Sequence, residues 1–456
     1  MKFYLSKYVL ALLFPVLVLF SVQAQTSAVL TKITPQNALQ SYLKNGDATY
    51  KWEIRDSLKT EKVTVYNLLL TSQTWQNIIW RHQLAVIVPD ENNYDGALLF
   101  ITGGSVKEGM PNWKKPTDKL NFLFSEMAAK NKAIVAVLSQ TPNQPLYNGL
   151  TEDALISKTL HDFKNDGDYS KPLLFPMVKS AVRAMDAIQE FSKQNRHHPI
   201  LRFVVSGASK RGWTTWLTGA NDKRVAAIGP MVIDILNMPK SLTYQLDSYG
   251  EYSEQIEDYV KLGILDDIRS ESGEALVTMI DPYSYRKSLT MPKLLFMGTN
   301  DEYWVVDNVK NYLKDLPGLT LIHYVPNAGH NLGGGVSAFA ALSAFFGVTL
   351  NNAVYPKDIW KASVKRKNVR VKVSATKDIL EGVKVWSADS EKRDFRKSKW
   401  TSRDLKISNK SKFTVTERFP SKGYHAFYVD LTYKDANGGS YTLSTQVFMT
   451  DTKKIL

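Results

Sequence analysis

The sequence predicts an α/β fold: a mainly parallel sheet covered by helices, with a second, all-β domain behind it. Three observations predict it. Between about residues 60 and 350, short apolar runs bounded by Gly, Pro or Asp recur at 84–88, 97–102, 133–138, 200–205, 225–228, 294–297 and 319–325. Helical patterns lie between several of them. In the clearest, Met177, Val178, Ala181, Val182, Met185, Ile188 and Phe191 form one apolar stripe, with Lys179, Arg183 and Glu190 off it. Strands alternating with such helices imply a parallel sheet buried on both faces. After residue 355 the texture changes to short alternating segments, such as Val369, Val371 and Val373 interleaved with Arg370 and Lys372. That pattern, with turn residues Asn437, Gly438 and Gly439, predicts a β-sandwich.

Taken in chain order, residues 1–24 read as an export signal. Lys2 and Lys7 precede an apolar core from Tyr8 to Phe20, and Val22, Gln23 and Ala24 offer a cleavage site. That core is short for a membrane span, and the alternative is an uncleaved anchor. No later segment reaches membrane-spanning length, so no integral membrane segment is expected after cleavage. The chain has no cysteine, which excludes disulfides and lipidation of an N-terminal cysteine. An exported chain of this kind suits a periplasm or the medium. The remaining length exceeds one core and predicts two domains, 25–354 and 355–456. The stretch 237–291, rich in tyrosines and helical patterns, is too long for a plain crossover and predicts a helical cap.

Charge is uneven. Residues 355–456 carry 23 Lys and Arg against 11 Asp and Glu, whereas 25–354 balance at 33 of each. The tail is therefore expected to meet an anionic surface or glycan, or else to be an ordinary solvated face. No motif calls for a specific nucleic acid.

The chemistry is expected at three positions. Gly207, Ala208 and Ser209 follow the run 200–205, and a helical pattern starts with Lys210, Arg211, Gly212 and Trp213. A strand, a sharp Gly-x-Ser turn and a helix mount a nucleophilic serine at the top of a sheet. Here Arg211, not glycine, stands two residues after the serine, and Gly212 follows it. Serine is a poor nucleophile unless a base lies within hydrogen-bond reach and a third group orients that base. His330 lies in a Gly-His loop after the last apolar run, and Asp301 ends the run before it. The order Ser, Asp, His is that of α/β-hydrolases. Asp234 is the alternative acid, with Glu302 and Asp307 as nearby rivals. His82, His161, His197, His198 and His425 lack comparable placement.

Other parts of a site can be named. The oxyanion donors expected are the backbone N–H of Lys210 and those of the loop at Gly103, Gly104 and Ser105. The alternative for the glycines is an ordinary tight turn. Lys210 and Arg211 could recruit an acidic or carbohydrate-ester substrate, or could pair with carboxylates of the fold. Trp213, Trp216, Tyr303 and Trp304 are candidates for a substrate pocket or for aromatic core. Glu152, Asp153 and Glu251 are candidate anchors for a peptide amino terminus. No metal or cofactor motif is found, so no cofactor is expected.

The string from Gly207 to Leu217 resembles the signature of the PhoPQ-activated pathogenicity-related proteins, a family that includes slime-mould autocrine proliferation repressors. Similar segments surround Gly103 and Gly104, Glu152 to Ile156, Met177 to Asp186, Pro230 to Asn237, Asp281 to Tyr285 and Pro326 to His330. The resemblance implies an exported α/β-hydrolase-fold protein linked to virulence or envelope stress. It implies no particular substrate. Ser209 and His330 match its motif positions, and Asn300 stands before Asp301 where a smaller residue is usual. Two functions follow as expectations. One is a serine hydrolase forming an acyl-enzyme on a small ester or peptide. The other is a non-catalytic secreted signalling protein that kept the fold.

Overall fold

The computed structural model describes residues 1, 32–196, 198–266, 268–406 and 411–456. The leader expected over 1–24 lies, beyond Met1, outside the described residues. The chain divides into two units, Met1–Ile33 and Thr34–Leu456, and the fold belongs to the second.

Nine strands build the body of the central sheet: β1 (Lys51–Lys59), β2 (Val63–Trp75), β3 (Ile78–Pro89), β4 (Gly96–Ile101), β5 (Val135–Leu138), β6 (Arg202–Ala208), β7 (Val225–Met231), β8 (Lys293–Gly298) and β9 (Thr320–Val325). Their spatial order is β1-β2-β3-β5-β4-β6-β7-β8-β9. Strands β5, β4, β6, β7, β8 and β9 run parallel, and β1, β2 and β3 add an antiparallel flank. The seven apolar runs of the sequence all fall in these strands. Strand β1 carries no comparable run, whereas β2 adds a buried apolar stretch, with Val63, Val65, Leu68 and Leu70, outside those seven. β1 is polar and exposed along nearly its whole length, which suits a sheet edge.

Alternate residues of the strands feed two apolar clusters, so both faces of the sheet are buried. Leu99 and Ile101 of β4 join one cluster, and Leu98 and Phe100 the other. The helices covering the first face include α3 (Glu152–Asp166), α4 (Leu174–Arg196) and α5 (Lys210–Asn221). The apolar stripe read from Met177 to Phe191 is the buried side of α4. The second face is covered by α2 (Lys119–Asn131) and α9 (Val336–Leu350).

Between β7 and β8 the chain forms the helical insertion expected over about 237–291. It holds α6 (Met238–Tyr249), α7 (Glu257–Lys261), α8 (Glu271–Ile280) and short 3₁₀ turns. One side chain clasps its two ends. Buried Asp281 accepts from the backbone N–H of Met238 at 2.8 Å and of Tyr283 at 2.9 Å.

The tail forms antiparallel strands β10 (Ile359–Lys365), β11 (Asn368–Ser374), β12 (Leu380–Ser390), β13 (Thr401–Asp404), β14 (Lys412–Arg418), β15 (Tyr424–Lys434), β16 (Ser440–Ser444) and β17 (Phe448–Thr450). Strands β10, β11 and β14 make a separate three-stranded sheet. Strands β16, β15, β12 and β13 continue the central sheet, because β16 pairs with β9. Apolar residues from both tail sheets, such as Val371, Val415, Val385 and Val429, share one cluster. The change of texture near residue 355 is therefore a change from parallel to antiparallel strands, not a break in the sheet.

Candidate active site

The site forms where the strand order reverses. From β4 the chain crosses to β5 on one side, then returns to β6 on the other, so a crevice opens beyond the ends of β4 and β6. Ser209 follows β6 and Gly103 follows β4. Ser209 holds φ +58° and ψ −125°, a strained conformation for a residue with a Cβ. Its N–H donates to Met231 O at 2.9 Å, and its carbonyl accepts from Trp213 N at 2.9 Å, starting α5. Close approach explains two glycines. A Cβ on Gly207 would meet Ile101 O at 2.9 Å, and one on Gly212 would meet Met231 O at 2.7 Å. The crowded position after the serine is thus 212, which leaves 211 free to carry a long side chain.

The loops after β8 and β9 bring two groups to this serine. Ser209 Oγ lies 2.9 Å from His330 Nε2. His330 Nδ1 lies 3.0 Å from each carboxylate oxygen of Asp301. Asp301 is buried, and it also accepts from Tyr303 N at 2.9 Å. Burial pushes its carboxyl up, against the hydrogen bonds and charge of His330. The histidine is held on two further sides. Its backbone N–H donates to Glu302 at 2.9 Å, and the Tyr303 ring stacks on the imidazole with centroids 4.0 Å apart.

The rival carboxylates are engaged elsewhere. Asp234 is buried and accepts from Tyr312 Oη at 2.6 Å and from Asn308. Asp307 accepts from Tyr244 Oη at 2.8 Å and pairs with Lys310. Glu302 holds the backbone of the histidine loop, not its ring.

This chain matches the family described as PhoPQ-activated pathogenicity-related protein over residues 39–396. The chain belongs to that family. It is 31% identical over 443 residues to autocrine proliferation repressor protein A of Dictyostelium discoideum, covering 89% of this chain and 88% of that protein. Among solved structures it resembles acetyl xylan esterase 1 from a Thermoanaerobacterium species, with TM-score 0.48, 17% identity and coverage of 69% and 93%. It also resembles an S-formylglutathione hydrolase from Agrobacterium tumefaciens, with TM-score 0.45, 11% identity and coverage of 65% and 99%.

In this PhoPQ-related chain one expectation needs correcting, and the choice left open for the two cations falls on pairing within the fold. Arg211 does not line the pocket or wait for a substrate. It is buried, donates from both terminal nitrogens to Glu152 at 2.7 Å, and donates from Nε to Thr141 O at 2.6 Å. Burial would raise the Glu152 carboxyl, but Arg211 holds it down at about 2. Lys210 pairs with Asp153 at 2.7 Å, and Asp153 also accepts from Tyr259 Oη at 2.9 Å. The cations beside the serine and the carboxylates at 152 and 153 satisfy one another. These four groups are thus engaged within the fold, as the pairing alternative expected.

Trp213, Tyr303 and Trp304 do line a cavity, together with Ser209 and Lys210. Trp216 is fully buried in the core. Sequence reading missed Ile233 and Ile235, which follow β7, and the apolar side of the insertion, including Leu242 and Leu276. The sequence carries no distinct signal for them, since pocket walls and ordinary core share one apolar pattern. Gly103 packs against the elbow, since a Cβ there would strike the Arg211 guanidinium at 2.5 Å.

The sequence also missed a clamp from the tail. Asn300 Nδ2 donates to the carbonyls of Phe395, Arg396 and Ser398, the last at 2.7 Å. Asn327 exchanges two hydrogen bonds with the backbone of Trp400, at 2.8 and 3.0 Å. One asparagine precedes Asp301 and the other precedes His330, so the loop between β12 and β13 ties both together. The same loop reaches the insertion, where the Arg396 guanidinium lies 4.0 Å over the Tyr249 ring.

Proposed function

We propose that the protein is a serine hydrolase that cleaves an ester or amide through an acyl-enzyme. The observation that carries this reading is the continuous chain Ser209–His330–Asp301, with every link at 2.9–3.0 Å. In the proposed reaction Oγ of Ser209 attacks the substrate carbonyl while Nε2 of His330 takes its proton. Asp301 fixes the ring with Nδ1 protonated and stabilises the imidazolium. The backbone N–H of Lys210 and those of the Gly103 and Gly104 loop receive the oxyanion. His330 then returns the proton to the leaving alcohol or amine, and water repeats the cycle to release the acid. Ser209→Ala is expected to abolish turnover of an activated ester by folded protein. Equal rates in variant and wild type would reject the nucleophile.

The second reading is a non-catalytic signalling protein, favoured by the name of the Dictyostelium relative. It predicts that Ser209→Ala keeps full biological effect. We also propose that the chain is exported with cleavage after Ala24, which a mature N terminus elsewhere would contradict, and that it acts at the envelope.

For the tail, we propose contact with an anionic surface through one sheet face. Cross-strand pairing puts Lys361 and Lys365 of β10, Arg370 and Lys372 of β11, and Lys412 and Arg418 of β14 on the same side. No carboxylate shares that face, and none of the six has an ion-pair partner among the described residues. Salt-sensitive retention on an anionic matrix should weaken when Lys361 and Lys372 become Glu. Unchanged retention would reject the face.

A further inference from the structure

Resting on the reading of Ser209 as nucleophile, we infer that the substrate carries a hydrocarbon group of several carbons beside its scissile bond. The cavity that opens on Ser209 is the basis. Its walls come from four parts of the fold: Trp213 of α5, Ile233 after β7, Met238 and Leu242 of α6, and Leu276 of α8. Trp304 and Tyr303 close the side next to the histidine.

The polar side-chain groups in these walls are already spent, except the hydroxyl of Tyr303, whose ring stacks on His330. Trp213 Nε1 donates to Ile280 O at 2.6 Å, and Trp304 Nε1 faces Val232 O at 3.3 Å. The two charged side chains of the lining, Asp153 and Lys210, pair with each other at 2.7 Å, and Tyr259 Oη completes the Asp153 carboxylate. Away from the Tyr303 hydroxyl, a sugar hydroxyl or a charged substrate group entering here would lose water and find no side-chain partner, which is unfavourable. A hydrocarbon chain loses nothing polar and gains burial. Ligand pockets generally combine apolar walls with a few polar groups that fix orientation. In this cavity the orienting groups are those of the serine end, and the rest is apolar.

The pocket is part of the fold, not a loose cover. Asp281 fastens both ends of the insertion, the Trp213 indole ties α5 to its last helix, and Arg396 packs on Tyr249 from the tail. A group bound there is held by preformed walls.

The test is a homologous series of p-nitrophenyl esters, acetyl to octanoyl, with a parallel series of acetyl esters of longer alcohols. One of the two series should show kcat/KM rising about fourfold per added methylene until the cavity is filled. Leu276→Trp, checked for an unchanged thermal melt, should lower the hexanoyl-to-acetyl ratio at least tenfold. Ser209-dependent turnover that is flat or falls with chain length in both series overturns this inference and leaves the hydrolase reading standing. Absence of any Ser209-dependent turnover overturns the hydrolase reading instead. The pocket is then judged in the Ser209→Ala protein by calorimetric binding of methyl acetate through methyl octanoate. Affinity rising with length supports the pocket, and affinity independent of length rejects it.

Discussion

Asp301 and Asp234 are both buried carboxylates just past the C-terminal ends of the neighbouring strands β8 and β7, and their neighbours separate their roles. Asp301 faces the imidazole of His330, whereas Asp234 faces the Tyr312 hydroxyl. Asp301→Asn should therefore lower kcat by on the order of 10⁴-fold, because the ring loses its fixed tautomer. Asp234→Asn should keep kcat within a few-fold of wild type; a loss matching that of Asp301→Asn would make Asp234 the acid. Asp234 also supplies a stability signature. Burial pushes its carboxyl from 3.8 up to about 7, against hydrogen bonds from Tyr312 and Asn308. Between those values the folded chain holds a proton that the unfolded chain has lost, so this group's contribution falls as pH rises through that window. The melting temperature of Asp234→Asn relative to wild type should rise from pH 4 to pH 7, and a constant difference would contradict the assignment. At this scale Ser209 and His330 were legible in the sequence because short motifs encode them. For the third group the sequence put Asp301 first and Asp234 as the alternative, and the geometry sets Asp301 beside the His330 ring. Pairing of Lys210 and Arg211 with carboxylates of the fold was one of two readings the sequence left open; which carboxylates was not legible, because Glu152 and Asp153 lie far upstream and nothing local links them.

The elements that carry the site are short turns held by backbone contacts. The elbow after β6 depends on Gly207 and Gly212, and both could be read from the sequence once their crowding was understood. The loops after β8 and β9 depend on asparagines. Neither Asn300 nor Asn327 has a local signal, since both bond to a loop about 70 to 100 residues away in sequence. Asn327→Ala leaves the Trp400 amide groups without partners, which should cost about 1–3 kcal/mol of stability. It should also let the histidine loop drift, lowering kcat tenfold or more with a smaller change in KM. An Asn327→Ala enzyme with wild-type kcat and melting temperature would show that the clamp does not position His330. The insertion was visible as a long helical stretch, but its inward apolar side was not, because pocket walls and ordinary core share one pattern.

Across the whole molecule, the two halves of the chain share a sheet and a core. β16 sits on the β9 edge, and His323 Nδ1 and Thr442 O lie 2.7 Å apart at that seam. The composition shift near 355 pointed to a boundary because charge and alternation change there. Strand pairing across it leaves no such trace. Deleting 356–456 would uncover the β9 edge and the apolar residues, such as Leu321, Phe345 and Phe346, that share a cluster with Val371 and Val429 of the tail. The truncated chain should be insoluble or unfolded by circular dichroism. A soluble, cooperatively melting fragment 25–355 would show that the hydrolase part folds alone. Arg211 belongs to the same scale, since it joins α5, α3 and the loop after β5. Its replacement by Ala leaves the half-buried Glu152 carboxylate with only Gln144 and Lys210 beside it and should destabilise the protein by about 1–2 kcal/mol in denaturant titrations.

The most direct test of the central claim is covalent. Wild-type protein treated with a fluorophosphonate and digested should carry one phosphonyl adduct, mapped by mass spectrometry to Ser209, and labelling should slow strongly in His330→Ala. Folded protein that stays unlabelled from pH 6 to 9, or that is labelled at another residue at the same rate in Ser209→Ala, would contradict the account.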